Sequence, residues 1–265
     1  MDHASRWEQE RQFFDDEEYD NSALPPSVVR RYAECRKPWL APEFPFFVLG
    51  DVRGKRILEV GCGDGGNAIL LALKGAYVVG ADISPRAIQA ATVRAALHGV
   101  SERTAFFATP FELFVPPDGG KFDVVCGWAA LHHLLPVLDS MLSRMLELCK
   151  PDGFVMFTEP VASWRWLRKL RLLLPIPANG TPDERPLEAA EIALLFERAP
   201  HLRVRYYNAL IRVVNRFAAR GRYEDMPPFS RALYDAAGRL DFFLLNRLGL
   251  SGFASAATLY GTVKK

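Results

Sequence analysis

Residues 56–84 read "RILEVGCGDGGNAILLALKGAYVVGADIS", and this stretch decides the fold. Two apolar runs with strand character enclose a glycine-rich loop and a helical pattern, and the second run ends on Asp82. A strand, a glycine turn, a helix and a second strand form one βαβ unit, and bare backbone at the start of the helix lets a ligand approach closely. The stretch predicts a parallel sheet with a small-molecule site beyond the carboxyl ends of its strands.

The same alternation of strand and helix continues along the chain. Five strands are predicted at 55–61, 77–83, 104–110, 122–128 and 153–160. The helices between them are predicted at 67–75, at 84–99 and from the end of the fourth strand to Cys149. Two further strands, 202–210 and 255–264, enclose a helical excursion. We therefore predict an α/β fold, a doubly wound, mostly parallel seven-stranded sheet of the Rossmann-like type with a helical lid.

Composition limits the classes of partner. The 265 residues are 49% hydrophobic, enough for a substantial core, and the formal net charge is only +2. This balance predicts no nucleic-acid partner. The acidic, polar start of the sequence resembles neither a signal peptide nor a transit peptide, which indicates a cytoplasmic location. Cys35, Cys62, Cys126 and Cys149 lack C-x-x-C spacing, so reduced thiols and no metal site are expected.

The glycine loop admits two classes of cofactor. Gly61, Gly63 and Gly66 nearly satisfy the G-x-G-x-x-G pattern of dinucleotide sites, which makes a nicotinamide enzyme the first rival. Asp64 would lie beside the pyrophosphate of such a ligand, and Glu59 adds a second acid close by. Repulsion in a partly desolvated site disfavours phosphates there. A cationic ligand without phosphates suits these acids.

Several motifs carry a resemblance to one enzyme family. "ILEVGCGDGG" resembles motif I of the class I S-adenosylmethionine-dependent methyltransferases, in which a strand ends in E/D-x-G-x-G-x-G. "FDVVCGWAALHHL" (122–134) and "LCKPDGFVMFTEP" (148–160) resemble the fourth-strand and fifth-strand segments of the same family, and the closing "ATLYGTVKK" is similar to its last strand. The resemblance implies S-adenosyl-L-methionine as the cofactor.

Carried over position by position, the resemblance implies a set of cofactor-binding residues. In chain order they are Glu59, Gly61, Cys62, Gly63, Asp82, Ile83, Thr109, Pro110, Gly127 and Trp128. The first four would surround the methionine moiety, although Cys62 also suits simple packing. Asp82 would hold the ribose hydroxyls and Ile83 would contact the adenine. Thr109 stands where the family usually has an Asp for the adenine amino group, and Gly127 and Trp128 align with residues at the methyl-donor end.

Three residues are candidates for catalysis. Methyl transfer from a sulfonium is an in-line displacement, so a base is needed only where the acceptor must lose a proton. His132 and His133 follow the fourth strand, and Glu159 ends the fifth strand on the same rim. Quinone-pathway members of the family place an acid here and can use a metal, whereas this chain has Leu131 and His132 instead of that acid. No metal is expected, and a structural role stays open for all three candidates.

The resemblance divides the chain into three parts of one domain: a helical flap over the cofactor (1–50), the cofactor-binding core (51–160), and the rest of the sheet with a helical substrate lid (161–265). In the last part, the basic and tryptophan-containing segment 163–177 suits contact with a membrane surface, an anionic acceptor, or an ordinary lid helix. The phenylalanine-rich lid 227–249 favours a sizeable, partly apolar acceptor.

The predicted function is S-adenosylmethionine-dependent methyl transfer to a small, partly apolar metabolite, such as a natural product or an aromatic, prenylated or lipid-like compound. Two alternatives stay open. One is a nicotinamide-dependent oxidoreductase, and the other is a non-catalytic cofactor-binding partner protein. The sequence does not indicate an oligomeric state.

Overall fold

The computed structural model describes residues 3–162, 185–217 and 221–263. The strands within them are β1 (Arg56–Val60), β2 (Tyr77–Asp82), β3 (Thr104–Ala108), β4 (Phe122–Trp128), β5 (Cys149–Pro160), β6 (Arg203–Tyr207) and β7 (Ala256–Thr262). They form one seven-stranded sheet in the order β3-β2-β1-β4-β5-β7-β6. β7 runs antiparallel to β5 and β6, and the other neighbours are parallel. The predicted fold class is confirmed.

Helices cover both faces of the sheet. They are α1 (His3–Asp15), α2 (Pro26–Glu34), α3 (Phe44–Leu49), α4 (Gly66–Leu73), α5 (Pro85–Leu97), α6 (Leu138–Leu148), α7 (Ala189–Arg198), α8 (Leu210–Phe217) and α9 (Pro228–Asn246). One core cluster joins the sheet to α3, α4 and α5 through residues such as Phe46, and the other joins it to α6 and α7 through residues such as Met145. This two-sided cover is the doubly wound arrangement.

The central strand β1 shows why the sheet is buried on both sides. Ile57 belongs to the cluster under α4, Leu58 belongs to the cluster under α6, and both side chains are fully buried. Successive residues of a strand face opposite sides, so a strand covered on both faces needs apolar residues at consecutive positions. Each such side chain contributes about 1.5–3 kcal/mol on burial.

Short polar signals set the start of α5 as the sequence predicts. Ser84 is the N-cap, and its hydroxyl oxygen accepts a hydrogen bond from the backbone N–H of Ala87 at 3.1 Å. Pro85 takes the first helical position, where its missing N–H costs nothing. Because only Ile83 separates Ser84 from Asp82, the cap also fixes the direction in which the chain leaves Asp82.

The connection after β4 differs from the prediction of a helix that begins directly. Two 3₁₀ turns, Leu131–His133 and Leu135–Val137, come before α6. Ala129 has φ +54°, a left-handed conformation that few residues other than glycine adopt, and Pro136 within the second turn has no N–H to donate. These residues delay the helix and leave an irregular loop above the carboxyl end of β4.

The helical excursion between β6 and β7 packs beside the sheet edge. Leu40, Ile211, Tyr234 and Ala237 form a buried cluster that ties α8 and α9 to the segment before α3. The carboxylate of Asp241 accepts hydrogen bonds from the first two backbone N–H groups of α8, at 2.8 and 3.1 Å. Among the described helices, none combines the length and apolarity that crossing a membrane requires. The predictions made for 163–177 lie outside the described residues.

Candidate cofactor and catalytic site

A cavity of about 120 Å³ opens at the carboxyl ends of β1, β2, β3 and β4. The chain order reverses between β1 and β4, and this is where open α/β sheets bind their ligands. The residues that line the cavity are Glu10, Phe14, Val60, Gly61, Ala81, Asp82, Ile83, Thr109, Pro110, Phe111, Glu112, Ala129, Ala130, His133 and Leu134. Five of the ten residues predicted to bind the cofactor are among them.

The glycine loop forms the floor of this cavity. Gly61 has φ +64°, and a Cβ added there would lie 3.1 Å from the Cβ of Ala130. Gly63 has φ +49° and open space where a Cβ would project. Both positions need the left-handed backbone that glycine adopts without strain. The loop therefore presents bare backbone towards the cavity, as the sequence predicts.

Asp82 lies at the end of β2 and faces the same cavity. One carboxylate oxygen accepts a hydrogen bond from the Gly63 N–H at 2.8 Å, and the other accepts one from the Ser84 N–H at 3.0 Å. Burial raises the pKa of this carboxyl, while the two N–H donors partly oppose that rise. A carboxylate has about four acceptor positions. Two of them remain for hydroxyl donors from a ligand.

The end of β3 supplies a second wall. Ile83, Thr109 and Pro110 line the cavity, and the backbone N–H of Thr109 donates to the carbonyl of Asp82 at 2.7 Å. The Thr109 hydroxyl lies 3.3 Å from the carbonyl of Pro110, to which it donates. This bond leaves the hydroxyl oxygen free to accept from a ligand donor such as an amino group.

Of the three acids in and around the glycine loop, Asp64, Glu59 and Asp82, the first two do not present to the cavity the charges that the sequence argument gave them. Asp64 forms an ion pair of 2.7 Å with Arg94, whose side chain is 5% exposed. Glu59 is fully buried beneath the start of α4, and burial raises its pKa to about 8. At neutral pH Glu59 is largely protonated, so Asp82 is the only one of the three that presents an unpaired carboxylate to the cavity. The sequence argument was wrong on this point, because the pairing with Arg94 spans thirty positions.

The other five predicted residues do not line the cavity, and Gly63 of the glycine loop is one of them. Cys62 is buried, and a Cβ added to Gly80 would come within 2.7 Å of its sulfur, so it packs against β2. Gly127 is enclosed in the same way by Val60 and Phe157. The remaining two are Glu59 and Trp128.

Trp128 points away from the place where the resemblance put it. Its ring stacks on Phe46 of α3 with the centroids 5.5 Å apart. Side chains alternate along a strand, so Trp128 shares the face of Val124 and Cys126, which is covered by α3 and α4. The expected contact with the methyl-donor end is therefore not made by this side chain.

Glu159 is the organising residue of the loop above β4. Its side chain is fully buried, and one oxygen accepts from the N–H groups of Ala130 and Leu131, both at 2.9 Å. The other oxygen accepts from the His132 N–H at 3.3 Å and lies 3.0 Å from His132 Nδ1. Glu159 was a candidate for catalysis, but it is not in the cavity wall, because the loop covers it.

The two histidines take different positions. His132 is held by Glu159, and because a carboxylate only accepts, the neutral ring carries its proton on Nδ1 and leaves Nε2 as a base. His133 lines the cavity and meets the ring of Phe14 edge to face, with centroids 5.2 Å apart. The two imidazoles lie 4.0 Å apart between centroids. His132 is thus adjacent to a residue of the cavity wall.

Helix α1 closes the cavity with residues that the motifs did not identify. Glu10 and Phe14 line it from above. Glu112, on the wall below, forms an ion pair with Arg6 and accepts a hydrogen bond from the indole N–H of Trp7 at 3.0 Å. At the end of the helix, the Ser84 hydroxyl donates to Asp15 at 2.6 Å. The aromatic composition of the first residues was the only signal for this contact.

The predicted substrate lid, residues 227–249, does not line the cavity as α1 does. None of the described residues that line the cavity belongs to α8 or α9. Apolar residues of α8 and α9 bury themselves against Trp39 and Leu40 instead. In the described part of the chain, no group of three or more His, Cys, Asp or Glu side chains is arranged to hold a metal ion.

Comparison with known proteins identifies relatives at the level of sequence. A family model described as a methyltransferase domain matches residues 31–216. The ubiquinone biosynthesis O-methyltransferase of Neisseria meningitidis serogroup C is 31% identical over 155 residues, which cover 56% of this chain and 64% of that protein. The enzyme of the same name from Bordetella bronchiseptica is 33% identical over 145 residues, covering 49% and 59%. The chain thus spans about three fifths of the length of these curated relatives.

Solved structures share the fold. The geranyl diphosphate C-methyltransferase of Streptomyces coelicolor A3(2), in complex with geranyl diphosphate and S-adenosyl-L-homocysteine, superposes with a TM-score of 0.62 over 99% of this chain and 100% of that one, at 10% identity. Magnesium protoporphyrin IX methyltransferase from Synechocystis PCC 6803, with bound S-adenosylmethionine, gives 0.54 over 98% and 97%, at 15% identity. The family match covers most of the chain and favours a methyltransferase over a nicotinamide enzyme. The chain belongs to the class I S-adenosylmethionine-dependent methyltransferases.

Proposed function

We propose that this protein transfers the methyl group of S-adenosyl-L-methionine to an oxygen atom of a small, partly apolar acceptor, with His132 as the general base. The observation that carries the proposal is the hydrogen-bonded pair of Glu159 and His132 beside a glycine-floored cavity. An oxygen acceptor is favoured because a hydroxyl must lose its proton as the methyl group arrives, and an oriented imidazole serves that purpose.

The cavity suits the proposed cofactor in chemistry. The only strong acceptor at the end of β2 is the carboxylate of Asp82, which suits vicinal hydroxyls. Ile83 offers an apolar wall for the adenine ring of the cofactor, and the Gly63 backbone leaves room for its amino acid moiety. When bound, the cofactor supplies an electrophilic methyl group on a cationic sulfur.

The protein then contributes alignment, proton removal and exclusion of water. Glu159 fixes both the tautomer and the direction of the His132 ring, so that Nε2 is free to take the hydroxyl proton. Phe14 and Glu10 cover the cavity from α1 and keep water from the reacting atoms. His133 lines the cavity beside His132, with 4.0 Å between the two ring centroids.

The class of acceptor is proposed from the relatives. The curated relatives are O-methyltransferases of ubiquinone biosynthesis, and one structural neighbour methylates an isoprenoid diphosphate at carbon. The oriented base favours the first chemistry. We therefore propose a phenol or catechol that carries an apolar substituent as the acceptor, with no nucleic acid involved.

The test combines binding with turnover. Calorimetry with S-adenosylhomocysteine measures the cofactor site, and we expect Asp82→Ala to weaken binding by about 100-fold, as loss of two charge-assisted hydrogen bonds predicts. Transfer of a labelled methyl group to prenylated and unprenylated catechols measures the reaction. His132→Ala should lower kcat by roughly 100-fold or more, while exposed His201→Ala should not change it.

The outcomes separate the alternatives. Binding of S-adenosylhomocysteine without methyl transfer to any phenol would favour the non-catalytic role. Transfer that survives His132→Ala with kcat unchanged would remove the general base and leave alignment alone. If a reagent that cleaves aryl ethers does not release the labelled methyl group from the product, the acceptor is methylated at carbon.

A further inference from the structure

Helix α9 carries an exposed apolar stripe that the proposed reaction does not use. Phe229, Leu233, Leu240 and Phe243 are 78%, 38%, 48% and 51% exposed, and Ala236 in the middle is exposed as well. Their spacing of four, three, four and three residues keeps them within one face of a helix. From Phe229 to Phe243 the stripe runs about 21 Å at 1.5 Å per residue.

The stripe is a second apolar face, distinct from the one that anchors the helix. Tyr234, Ala237 and Leu245 are buried on the opposite side of α9, against Leu40 and the sheet edge. A surface helix ordinarily has one apolar face and one polar face, and a helix that is apolar on two faces is covered on both. Among the described residues, nothing covers the stripe.

The order of residues along the stripe is the same in both directions. Read from either end, the stripe is Phe, Leu, Ala, Leu and Phe; each Phe lies seven residues from Ala236, while Leu233 lies three residues before it and Leu240 four residues after it. Two copies of α9 that cross antiparallel at Ala236 would pair Phe229 with Phe243, Leu233 with Leu240, and Ala236 with itself. An interface around a two-fold axis requires this self-complementarity. We propose that the stripe is the contact between two copies of this chain.

The ends of the helix support the same pairing. Asp225 precedes α9 and Arg247 follows it, both are exposed, and they lie at equal distances in sequence from Ala236. The antiparallel arrangement places the end of each helix that carries the acid at the end of the other that carries the base. A membrane surface would use the apolar residues but would gain nothing from their order or from this pairing of charges.

The size of the surface is adequate for a dimer. Four half-exposed large side chains present on the order of 400 Å² of apolar area in each chain, more than scattered surface residues provide. Both copies together with the flanking residues approach the ~1,000 Å² expected of a specific interface. The small Ala236 at the crossing point lets the two helices approach closely.

A cysteine at the symmetry position tests the geometry directly. Ala236→Cys should form an intermolecular disulfide under mild oxidation, because only a residue on the axis lies opposite its own copy. The four native cysteines are all buried, so background crosslinking is low. Leu97→Cys, on the exposed face of α5 with 56% exposure, should stay uncrosslinked.

Sedimentation of the full chain tests the affinity. The wild type should sediment at twice its 29.7 kDa chain mass, Leu240→Glu and Phe243→Glu should each raise the dimer dissociation constant by roughly 100-fold, and Leu97→Glu should not. Asp225→Arg should weaken the dimer, and Asp225→Arg with Arg247→Asp should restore it.

Three results would overturn the proposal, and all are independent of methyl transfer. They are a wild type that remains monomeric at about 100 μM, a dimer that Leu240→Glu leaves intact, and a monomer that binds phosphatidylglycerol vesicles and loses that binding with Leu240→Glu. The last result would assign the stripe to a membrane surface.

Discussion

Replacing Glu159 by Gln tests the central element of the proposed mechanism. The two side chains have the same shape, and an amide can still accept from the N–H groups of Ala130 and Leu131 with its oxygen, as the carboxylate does at 2.9 Å. The amide nitrogen must then face His132, because the opposite orientation would point the two N–H donors of the amide at the N–H groups of Ala130 and Leu131. The substitution therefore changes the partner of the imidazole and of the His132 backbone N–H, and leaves the other contacts in place.

The consequence is a change of tautomer. A carboxylate accepts from Nδ1–H, whereas an amide N–H donates to Nδ1 and moves the ring proton to Nε2. A base that is already protonated at Nε2 cannot take the hydroxyl proton of an acceptor. We expect kcat to fall by about 10²–10⁴-fold, the contribution of a general base. The dissociation constant for S-adenosylhomocysteine should change less than about twofold, because Glu159 does not line the cavity.

Stability supplies a second readout. In Glu159→Gln the amide NH₂ faces the backbone N–H of His132, and this contact between two donors should lower the free energy of unfolding by about 1–2 kcal/mol. Glu159→Ala orphans the buried N–H groups of the loop and should cost about 3–5 kcal/mol, as breaking a buried charged network does. Urea titration measures both, with exposed Glu147→Gln as the matched control. Retention of kcat within about threefold in Glu159→Gln would refute the orientation argument.

Further predictions concern the loop, the core and the cover. Burial raises the pKa of Glu59 from 4.5 to about 8, so the folded state holds the proton more tightly than the unfolded state. The free energy of unfolding should therefore fall as the pH rises from 4.5 to 8, by up to about 1.4 kcal/mol per pH unit. Urea titrations at several pH values should show that Glu59→Gln flattens this slope. Gly80→Ala places a Cβ 2.7 Å from the Cys62 sulfur and should lower the free energy of unfolding by about 1–3 kcal/mol, while an unchanged value would show that this contact relaxes freely. Phe14→Ala opens the wall beside His133 and should raise the dissociation rate of S-adenosylhomocysteine in stopped flow by about tenfold, whereas exposed Phe47→Ala should not.

The elements of the sheet could be predicted from the sequence because their signals are local. β4 has the predicted bounds, and the cap formed by Ser84 needs only its own residue and the three that follow. The alternation of Val124, Cys126 and Trp128 along β4 also determines the face of the sheet on which the tryptophan ring lies. Family alignment places a residue at a strand end, whereas strand parity decides which face its side chain takes.

The contacts that the sequence did not predict join residues far apart in the chain. Arg94 neutralises Asp64 across thirty positions, and Glu159 reaches the loop after β4 across twenty-seven or more. Nothing in the local composition of "TEP" distinguishes a carboxylate on the rim from one buried beneath a loop. The docking of α1 has the same origin, because its partner Glu112 lies more than one hundred residues away.

The selectivity of the cavity for a cationic ligand therefore has a different source from the one that the glycine loop suggests. Asp64 is paired with Arg94, and Glu59 is largely protonated at neutral pH, so the loop itself contributes little net charge. Asp82 remains, whereas Glu10, which α1 adds to the wall, lies 3.9 Å from Arg6. In a cavity with low-dielectric walls the charge of Asp82 acts at close range and is poorly screened. A phosphate-bearing ligand would meet this carboxylate, whereas a sulfonium benefits from it.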